Sequence, residues 1–373
     1  MKKVISVVGA RPNFMKVAPI HRAFTSLNEN NYNNNHIEHL IVHTGQHYDF
    51  NMSYAFIRDL ELPQPDYFLG VGSGTHSEQT AKIMIQFEKV VQKEKPDLII
   101  VVGDVNSTIA CGLVAAKQLI PLAHIEAGLR SFDRTMPEEI NRVLTDKISK
   151  YLFITEKSAY RNLINEGADV DNIFFVGNTM IDSLIFAKNK IDNLNFLNNN
   201  NLEKDEYVVV TLHRPSNVDN RESLEMFYDI FEYLSNLKKI IFPVHPRTTK
   251  KMKEFDIYNK YISLKNLQMV EPLNYIDFLT CMMNAYFVMT DSGGIQEETT
   301  YLDIPCITLR TTTERPITIE LGTNRLINPQ PEIIKFEINN ILKKRPKRIT
   351  MPPLWDGNAG NRIARIIATN ILN

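Results

Sequence analysis

The chain has 373 residues, of which 23% are charged and 43% hydrophobic, and its formal net charge at pH 7 is −1. The length favours about two domains, and the balanced charge argues against nucleic acid or an anionic membrane as the main partner. No stretch approaches the roughly 20 apolar residues of a membrane span, and the apolar run at residues 4–8 is too short for a signal peptide. The composition therefore predicts an ordinary globular protein of the cytoplasm.

Three cysteines, Cys111, Cys281 and Cys306, lie far apart in apolar segments. An odd number of scattered cysteines is typical of a reduced protein and not of a disulfide framework. We therefore expect no disulfide and no cysteine-based metal site. Nothing else in the sequence indicates a bound metal or another cofactor.

The first half of the chain alternates apolar runs of strand length with segments of helix length. The runs are apolar throughout instead of alternating with polar residues, as expected for parallel strands that are covered on both faces. The predicted strands lie at residues 4–8, 40–43, 98–102, 122–125, 152–154 and 173–176, and two of the helices at 80–92 and 108–119. This order predicts a doubly wound α/β sheet.

The pattern restarts after residue 177 with a helix at 180–188 and then a second series of strands. These lie at residues 208–212, 240–244, 268–270, 287–290 and 306–309. Between them and the first half is an asparagine-rich tract at 198–201, which, like the tract at 30–35, we interpret as a solvated loop. The sequence thus predicts two Rossmann-like domains, 1–177 and 178–355, that face each other across a cleft in which a ligand lies.

Polar residues follow several strands of the predicted first domain, at 9–16, 43–49 and 103–108 and at Glu126. The carboxyl ends of parallel strands lie at one edge of the sheet, where open α/β sheets bind their ligands. We therefore expect Asp104 and Glu126 at a common site.

A helix is predicted to begin at Pro137, which suits a first helical position. Glu138 and Glu139 then complement the helix dipole in the first turn. Apolar residues with helical spacing predict an amphipathic helix that packs on another surface: Ile140, Val143, Leu144 and Ile148. Glu138 and Arg142 are four residues apart, so a simple surface ion pair is the alternative to a functional interpretation of this helix.

In the second domain, residues 291–298 (Asp-Ser-Gly-Gly-Ile-Gln-Glu-Glu) predict a strand end, a glycine turn and a helix start. Gly293 and Gly294 allow close approach of the backbone, and the N–H groups of a first turn favour a phosphate. Glu298 is placed farther along the helix, where a carboxylate can accept both hydroxyls of a ribose. A plain βα turn is the alternative.

Cationic side chains that could neutralise a diphosphate stand at other strand ends or loops: Arg11, Lys16, His213 and Arg315. Residues 9–12 (Gly-Ala-Arg-Pro) lack the spaced glycines of a dinucleotide fingerprint, and a Walker A motif is absent. A nucleotide diphosphate facing Asp104, Glu126 and Glu138 indicates a nucleotide sugar, with the nucleotide in the second domain and the sugar in the first.

Seven blocks, in order along nearly the whole chain, resemble the non-hydrolysing UDP-N-acetylglucosamine 2-epimerases. The blocks are residues 9–12, 103–104, 124–130, 137–142, 212–214, 291–298 and 313–316. The resemblance implies the GT-B glycosyltransferase-like fold, with a C-terminal helix at about 361–371, in the segment 356–373, that returns to the first domain. It also implies a homodimer that serves cell-surface polysaccharide synthesis.

The resemblance further implies a reaction in which UDP leaves C1 of the sugar while the C2 proton is removed, which gives a 2-acetamidoglucal. UDP then adds back as a proton arrives on the opposite face of C2, so UDP-N-acetylglucosamine becomes UDP-N-acetylmannosamine. This inversion requires acid and base groups on two faces of the sugar. Asp104, Glu126 and Glu138 match the catalytic acids of the family, without indicating which of them removes the proton.

Other residues match the binding groups of the family. Arg11, Lys16 and His213 correspond to the groups that hold the departing diphosphate, and Phe278 to the ring that stacks on uracil. The remaining candidates for UDP binding are Ser292, Gly293, Gly294, Glu298, Arg315 and His245, and the candidate sugar or loop contacts are Gln46, His47 and Arg142.

Two departures from the family pattern bear on regulation and on the substrate. Many bacterial members carry a regulatory site for the substrate with a Gln-His-x-Gln loop and a later arginine, but here residues 46–49 read Gln-His-Tyr-Asp and residues 70–76 contain no arginine. The usual His-Arg-Arg-Glu-Asn block is also His-Arg-Pro-Ser-Asn at 213–217. Allosteric activation by the substrate is therefore not expected.

Residues 9–12 and 43–47 also resemble relatives that epimerise UDP-2,3-diacetamido-glucuronic acid, which is the alternative substrate.

Three other functions remain as alternatives. A glycosyltransferase of the same fold typically has one catalytic base, whereas three acids favour epimerisation. A hydrolysing epimerase would carry Ala-Asp where Pro12 and Asn13 stand. A non-catalytic nucleotide-sugar-binding regulator would be indicated by loss of an acid, but all three acids are present.

Overall fold

The structure is a computed structural model that describes residues 1–30, 36–45, 57–191 and 193–372. Two predicted contact residues, Gln46 and His47, lie outside the described residues. The chain divides into two compact units: unit 1 comprises Met1–Ala187 and Pro353–Asn373, and unit 2 comprises Lys188–Pro352. Among the described residues, no helix combines the length and the apolar character that crossing a membrane requires.

Unit 1 contains a parallel sheet of seven strands in the order β3-β2-β1-β4-β5-β6-β7. The strands are β1 (Lys2–Val8), β2 (Ile37–His43), β3 (Tyr67–Phe68), β4 (Leu98–Val102), β5 (Leu122–Ile125), β6 (Tyr151–Ile154) and β7 (Ile173–Phe175). The strand order reverses between β1 and β4, which makes the gap between them the switch point of a doubly wound sheet.

The helices of unit 1 connect these strands. They are α1 (Arg11–Glu29), α2 (His76–Glu94), α3 (Asn106–Lys117), α4 (Pro137–Ile148), α5 (Lys157–Asn165) and α6 (Thr179–Lys188), with a 3₁₀ turn at Val170–Asn172. The C-terminal helix, Ala359–Ile366, continues as a π-helical turn, Ile367–Ile371, and packs on α1.

Unit 2 contains a second parallel sheet of six strands in the order β10-β9-β8-β11-β12-β13. The strands are β8 (Tyr207–Thr211), β9 (Lys239–Pro243), β10 (Leu267–Val270), β11 (Phe287–Thr290), β12 (Cys306–Leu309) and β13 (Asn324–Ile327). The helices are α7 (Asn193–Asn199), α8 (Pro215–Val218), α9 (Arg221–Ser235), α10 (Pro246–Glu254), α11 (Tyr258–Ile262), α12 (Tyr275–Met283), α13 (Gly293–Leu302), α14 (Ile317–Glu320) and α15 (Pro331–Lys343). Two Rossmann-like units confirm the predicted fold class.

The central strands are buried on both faces, which is why their sequences are apolar throughout. All five residues of β4 are buried, and so are the first four of β8. Two strands, β3 and β13, were not predicted from the sequence. β3 has only two residues, and β13 begins with Asn324 and Arg325, so it does not read as an apolar run.

The predicted apolar face of α4 is only partly buried. Ile140 and Leu144 are 47% and 49% exposed, and the buried residues of the helix are all polar: Glu139, Arg142, Thr145 and Asp146. The helix faces the sheet with these side chains because three of them form ion pairs there. Hydrophobic spacing therefore identified the helix but not its buried face.

The interpretation of the asparagine-rich tract at 198–201 as a loop was wrong for its first two residues, because α7 extends to Asn199. The helix α6 belongs to unit 1. Its Ser183 donates a hydrogen bond of 2.6 Å to the carbonyl of Met15, and the carboxylate of Asp182 accepts one of 2.8 Å from the N–H of Gly360 in the C-terminal helix.

Phe231 on α9 is fully buried in unit 2, with its ring centroid 5.0 Å from that of Phe242 and 5.3 Å from that of Tyr261. We expect Phe231→Ala to lower the free energy of unfolding of unit 2 by about 3–5 kcal/mol, because it removes apolar contacts and leaves a cavity. Urea unfolding followed by circular dichroism measures the change. The control is Phe336→Ala on α15, where the ring is 65% exposed; an equal loss in both variants would contradict the packing described.

Candidate active site

The predicted residues of unit 1 converge where β1, β4 and β5 end, beside the switch point. Asn13, buried in the first turn of α1, accepts hydrogen bonds from the N–H groups of Gly9 and Ala10 at 3.0 and 2.9 Å. Its amide nitrogen donates to the carbonyl of Val102 at 3.2 Å. The loop after β1 is thereby tied to the end of β4. Asn13 directly follows the Gly-Ala-Arg-Pro block but was not among the predicted site residues.

Lys16 and Glu126 form a buried ion pair at these strand ends. The Nζ atom lies 2.7 Å from Oε1, and the two side chains are 5% and 3% exposed. Gly103 makes room for the pair, since a Cβ atom there would lie 2.8 Å from the lysine Nζ, and its φ of +66° is one that other residues rarely adopt. The structure thus brings together two predicted residues that are 110 positions apart.

Glu126 itself adopts a strained backbone conformation. Its φ is +73°, in the left-handed region, which costs a residue other than glycine on the order of 1–3 kcal/mol. The N–H groups of Glu126 and Ala127 both donate to the carbonyl of Phe153, at 3.0 and 3.1 Å, and hold the conformation in place. Strain that is fixed in this way at a charged side chain is typical of functional sites.

Asp104 is paired with Arg142, whose Nη2 lies 2.7 Å from Oδ2 of the aspartate. The other end of the guanidinium contacts Glu139 at 2.5 Å. Glu139 also accepts hydrogen bonds from the N–H groups of Ser131 and Phe132, at 3.0 and 2.9 Å. The suggested surface ion pair with Glu138 is therefore wrong: Arg142 is buried and links Asp104 to the loop before α4.

Two predicted residues lie at helix starts. Glu138, the second residue of α4, is half-buried, and its side chain makes no hydrogen bond or ion pair with any other residue that the structure describes. Arg11, the first residue of α1, is also half-buried. Asn141 on α4 donates to the backbone carbonyl of Asp104 at 2.9 Å, so the first turns of α4 are fixed to the loop that carries this acid.

In unit 2, His213 follows β8 and Asp291 follows β11, at the switch point of the second sheet. The His213 Nδ1 atom lies 2.7 Å from Oδ1 of Asp291, which leaves Nε2 for a ligand. Asp291 is fully buried and also accepts hydrogen bonds from the N–H of Arg214 at 2.8 Å and the amide of Asn217 at 3.1 Å. Burial opposes ionisation of Asp291, but His213 and the backbone N–H of Arg214 hold its pKa below the usual value. Asp291 was predicted only as the end of a strand.

The turn that begins α13 is packed against charged side chains. Ser292 is the N-cap residue, and its side chain makes no capping hydrogen bond. A Cβ atom at Gly293 would lie 2.8 Å from Nη1 of Arg315. Arg315 is 6% exposed and pairs with Glu297 at 3.1 Å and with Glu314. Two carboxylates thus offset the charge of Arg315, so the geometry favours support of the turn over direct neutralisation of a diphosphate.

Glu298 lies one turn farther along α13 and is 4% exposed. Burial raises its pKa to about 7, and the hydroxyl of Tyr275 donates to its Oε1 atom at 3.1 Å. Tyr275 and Phe278 are three residues apart on α12, a spacing that places neighbours on one side of a helix. Phe278 is half-buried, so part of its ring is open to a planar partner.

His245 is exposed and caps α10, with its Nδ1 atom accepting a hydrogen bond of 3.1 Å from the N–H of Arg247. Its ring centroid is 5.6 Å from that of His213. Across the part of the chain that the structure describes, no group of three or more His, Cys, Asp and Glu side chains is arranged to hold a metal ion.

Two Rossmann-like units, each with its polar side chains at a sheet switch point, define an α/β protein of the nucleotide-binding class. Comparison with known proteins narrows this class. The family described as UDP-N-acetylglucosamine 2-epimerase matches residues 29–368. The chain belongs to this family, and the resemblance seen in the sequence blocks is confirmed.

Several relatives match over their full lengths. A UDP-N-acetylglucosamine 2-epimerase of Methanocaldococcus jannaschii is 46% identical over 370 residues, 98% of each chain. A crystal structure of M. jannaschii UDP-GlcNAc 2-epimerase in complex with UDP-GlcNAc and UDP has a TM-score of 0.88 and 45% identity, and the match covers 99% of both chains. A UDP-2,3-diacetamido-2,3-dideoxy-D-glucuronate 2-epimerase of Pseudomonas aeruginosa is 36% identical, over 98% of this chain and 99% of that one.

Proposed function

We propose that the protein is an epimerase that inverts C2 of UDP-N-acetylglucosamine and gives UDP-N-acetylmannosamine. The observation that carries the proposal is a set of three acids in unit 1, in a chain of this family. Asp104 and Glu126 lie at strand ends and are held by buried cations, and Glu138 lies in the first turn of α4. The reaction eliminates UDP to a 2-acetamidoglucal and then adds it back. It needs acid–base groups on two faces of the sugar, and three acids on three different elements supply them.

The acids differ in how they are held. Lys16 fixes the direction of the Glu126 carboxylate, and Arg142 does the same for Asp104. Glu138 has no such partner among the described residues and can turn towards the sugar. We assign all three acids to proton transfer at C2, in an order that the geometry leaves open.

The departing diphosphate carries negative charge that must be stabilised as the C1–O bond breaks. In unit 2, Nε2 of His213 is available for this role because Asp291 holds Nδ1. The N–H groups around Ser292, Gly293 and Gly294 at the start of α13 supply an anion-binding end of a helix. Arg11 of unit 1 adds positive charge, whereas the charge of Lys16 is offset by Glu126. His245 is a further contact.

The nucleoside is recognised by α12 and α13. Glu298 accepts hydrogen bonds from the ribose hydroxyls, and Tyr275 orients its carboxylate. Phe278 stacks on uracil, because a half-buried ring three residues from Tyr275 offers one face to a base.

The alternative substrate is a UDP-2,3-diacetamido-2,3-dideoxy-glucuronate. It is supported by the relative of P. aeruginosa that carries this activity in its name and is 36% identical. The reaction at C2 is the same for both substrates, so only the C3 and C6 substituents differ.

We also propose that the protein acts as a homodimer, in the synthesis of a cell-surface polysaccharide. Support for the dimer comes from the outer face of α4, where Ile140 and Leu144 are about half exposed, and from Phe132 in the preceding loop, which is 76% exposed. Large apolar side chains that a single chain leaves exposed become buried when a second copy covers them, and this gain is the basis of the proposal.

Proton NMR of the purified protein with UDP-N-acetylglucosamine in D2O tests the main proposal. We expect a manno product with deuterium at C2. An intact substrate with turnover of the diacetamido-uronic acid nucleotide would select the alternative substrate. Free sugar and UDP as end products would indicate a hydrolysing epimerase, and binding without turnover of either nucleotide sugar would contradict an epimerase.

Asp104→Asn, Glu126→Gln and Glu138→Gln are each expected to lower turnover by about 100-fold or more, because loss of general acid–base catalysis costs about 10²–10⁴-fold. UDP affinity, measured by calorimetry, should stay the same, since these side chains belong to unit 1 and the proposed UDP contacts are mainly in unit 2. The control is Asp182→Asn, a buried carboxyl of unit 1 that binds the C-terminal helix. Near-normal rates in any of the three variants would remove that residue from the mechanism.

UDP affinity is expected to rise with pH through about 7, because burial raises the pKa of Glu298 to about 7 and only the carboxylate accepts both ribose hydroxyls. Below this pH the group is protonated and loses acceptor capacity, so the affinity falls by up to about tenfold per pH unit. Calorimetry between pH 6 and 8 measures the trend. The difference between the wild type and Glu298→Gln separates Glu298 from the titration of UDP itself, and 2′-deoxy-UDP should show a smaller difference. Identical pH curves for the wild type and Glu298→Gln would contradict the ribose assignment.

Leu144→Glu is expected to convert a dimer into a monomer, because it places a charge in the proposed apolar interface. Sedimentation equilibrium should give twice the mass of one chain for the wild type and for the control Ile333→Glu, an apolar residue of unit 2 that is 44% exposed. A monomeric wild type, or a Leu144→Glu variant that stays dimeric, would show that this surface is not the interface.

A further inference from the structure

A buried cluster of charged side chains lies behind the acids of unit 1. Its centre is His124 on β5, which is fully buried. Its Nδ1 atom lies 2.6 Å from Oδ1 of Asp146, and its Nε2 atom lies 2.8 Å from the carbonyl oxygen of Gly103. A carbonyl oxygen can only accept, so Nε2 donates to Gly103.

Asp146 on α4 accepts hydrogen bonds or ion pairs from several donors. Besides His124, it accepts a hydrogen bond of 3.0 Å from the N–H of Gly128 and pairs with Nη2 of Arg130 at 2.7 Å. Burial opposes ionisation of Asp146, while His124 and Arg130 hold its pKa below the usual value. Arg130 in turn donates two hydrogen bonds to the carboxylate of Glu166, of 2.9 and 2.7 Å.

The cluster joins the three elements that carry the acids. Gly103 directly precedes Asp104, and Gly128 follows Glu126 by two residues. Asp146 stands on the same helix as Glu138, eight residues along. A shift of one of these elements against the others therefore breaks a bond to His124 or to Asp146.

The backbone around Asp104 and Glu126 needs such external support. Gly103 and Glu126 both have positive φ values, of +66° and +73°, so neither loop is fixed by its own conformational preference. A displacement of about 1 Å at a catalytic group can lower the rate by about 100-fold. Stability alone is a weak reason for the cluster, because replacement of buried ion pairs by apolar residues is often neutral or stabilising.

We infer that His124 and Asp146 are positioning residues, which set the distance between the Asp104 loop, the Glu126 loop and α4 so that the three acids act on one carbon. This inference rests on the proposed epimerase function. Both side chains are buried and bonded to protein atoms, so they act on the substrate only through the acids that they position.

The test compares two substitutions of His124 that keep different hydrogen bonds. A glutamine amide reaches about as far as Nε2 and can still donate to the carbonyl of Gly103, whereas an asparagine amide reaches only about as far as Nδ1. The matched control is His39→Asn, which changes a half-buried histidine of the same sheet that has two side-chain hydrogen-bond partners, Ser6 and His21. Asp146→Asn is the second variant of the cluster, should His124→Asn fail to fold.

We expect His124→Asn to lower kcat by about 100-fold, with KM and UDP affinity nearly unchanged. His124→Gln should recover most of this loss, and His39→Asn should retain the wild-type kcat per folded molecule. Asp146→Asn should resemble His124→Asn. A kcat of His124→Asn and Asp146→Asn equal to that of His39→Asn, or equal losses in the asparagine and glutamine variants, would overturn the inference.

Amide hydrogen exchange gives a readout that does not depend on activity. In His124→Asn, the amides of residues 103–106 and 126–131 should exchange faster than in the wild type, in His124→Gln and in His39→Asn. If the wild type epimerises neither nucleotide sugar, the proposed function fails, while hydrogen exchange still decides whether the cluster holds the two loops. Unchanged protection of both loops in His124→Asn and Asp146→Asn would refute the positioning role.

Discussion

A parallel sheet delivers the carboxyl ends of all its strands to a single edge, and this constraint organises both units of the protein. Side chains that follow β1, β4 and β5 meet at one place although they are far apart in the sequence, as the ion pair between Lys16 and Glu126 shows. The same geometry in unit 2 brings His213, after β8, to Asp291, after β11. Because helices cover both faces of each sheet, the strands consist of apolar residues. The polar residues lie at the edge, beyond the strand ends.

Charges at these edges are arranged in matched groups. Glu126 has Lys16, Asp104 has Arg142, and Asp291 has His213 together with backbone and amide donors. A buried charge is costly unless it is paired and hydrogen-bonded, so each partner lets a carboxylate stay in a protected position with a fixed direction. Glu138 and Glu298 stand outside this scheme. The first has no ion-pair partner among the described residues, and burial raises the pKa of the second to about 7. This difference agrees with their proposed roles, which are proton transfer for Glu138 and binding of the ribose hydroxyls for Glu298.

Several contacts of the site depend on side chains to which the sequence analysis gave no function. Glu139 joins Arg142 to the loop after β5, Asn13 joins the loop after β1 to β4, and Asp291 orients His213. These residues share a common property, since each bonds to main-chain N–H or carbonyl groups of another segment. Residue type and spacing along the chain do not reveal such partners, because the partners lie in other segments that only the fold brings close.

The helix α4 shows the limit of periodicity most clearly. The apolar spacing of Ile140 and Leu144 predicted the helix correctly, but the face that is buried carries Glu139, Arg142 and Asp146. A hydrophobic pattern assumes that burial follows hydrophobicity, and here ion pairs to Asp104, His124 and Arg130 decide the orientation instead.

The sequence by itself determined the α/β class, the two series of strands and the family, because apolar runs, strand-end motifs and long blocks of residues are local properties of the chain. It also identified the three acids as candidates, since each stands at or near a strand end or helix start. Only the tertiary structure decided which cation pairs with which acid, that Arg315 faces two carboxylates, and that His124 and Asp146 link the elements that carry the acids. The physical reason is that ion pairs and buried hydrogen bonds join residues from different segments, and their geometry is fixed only when the sheet has placed those segments side by side.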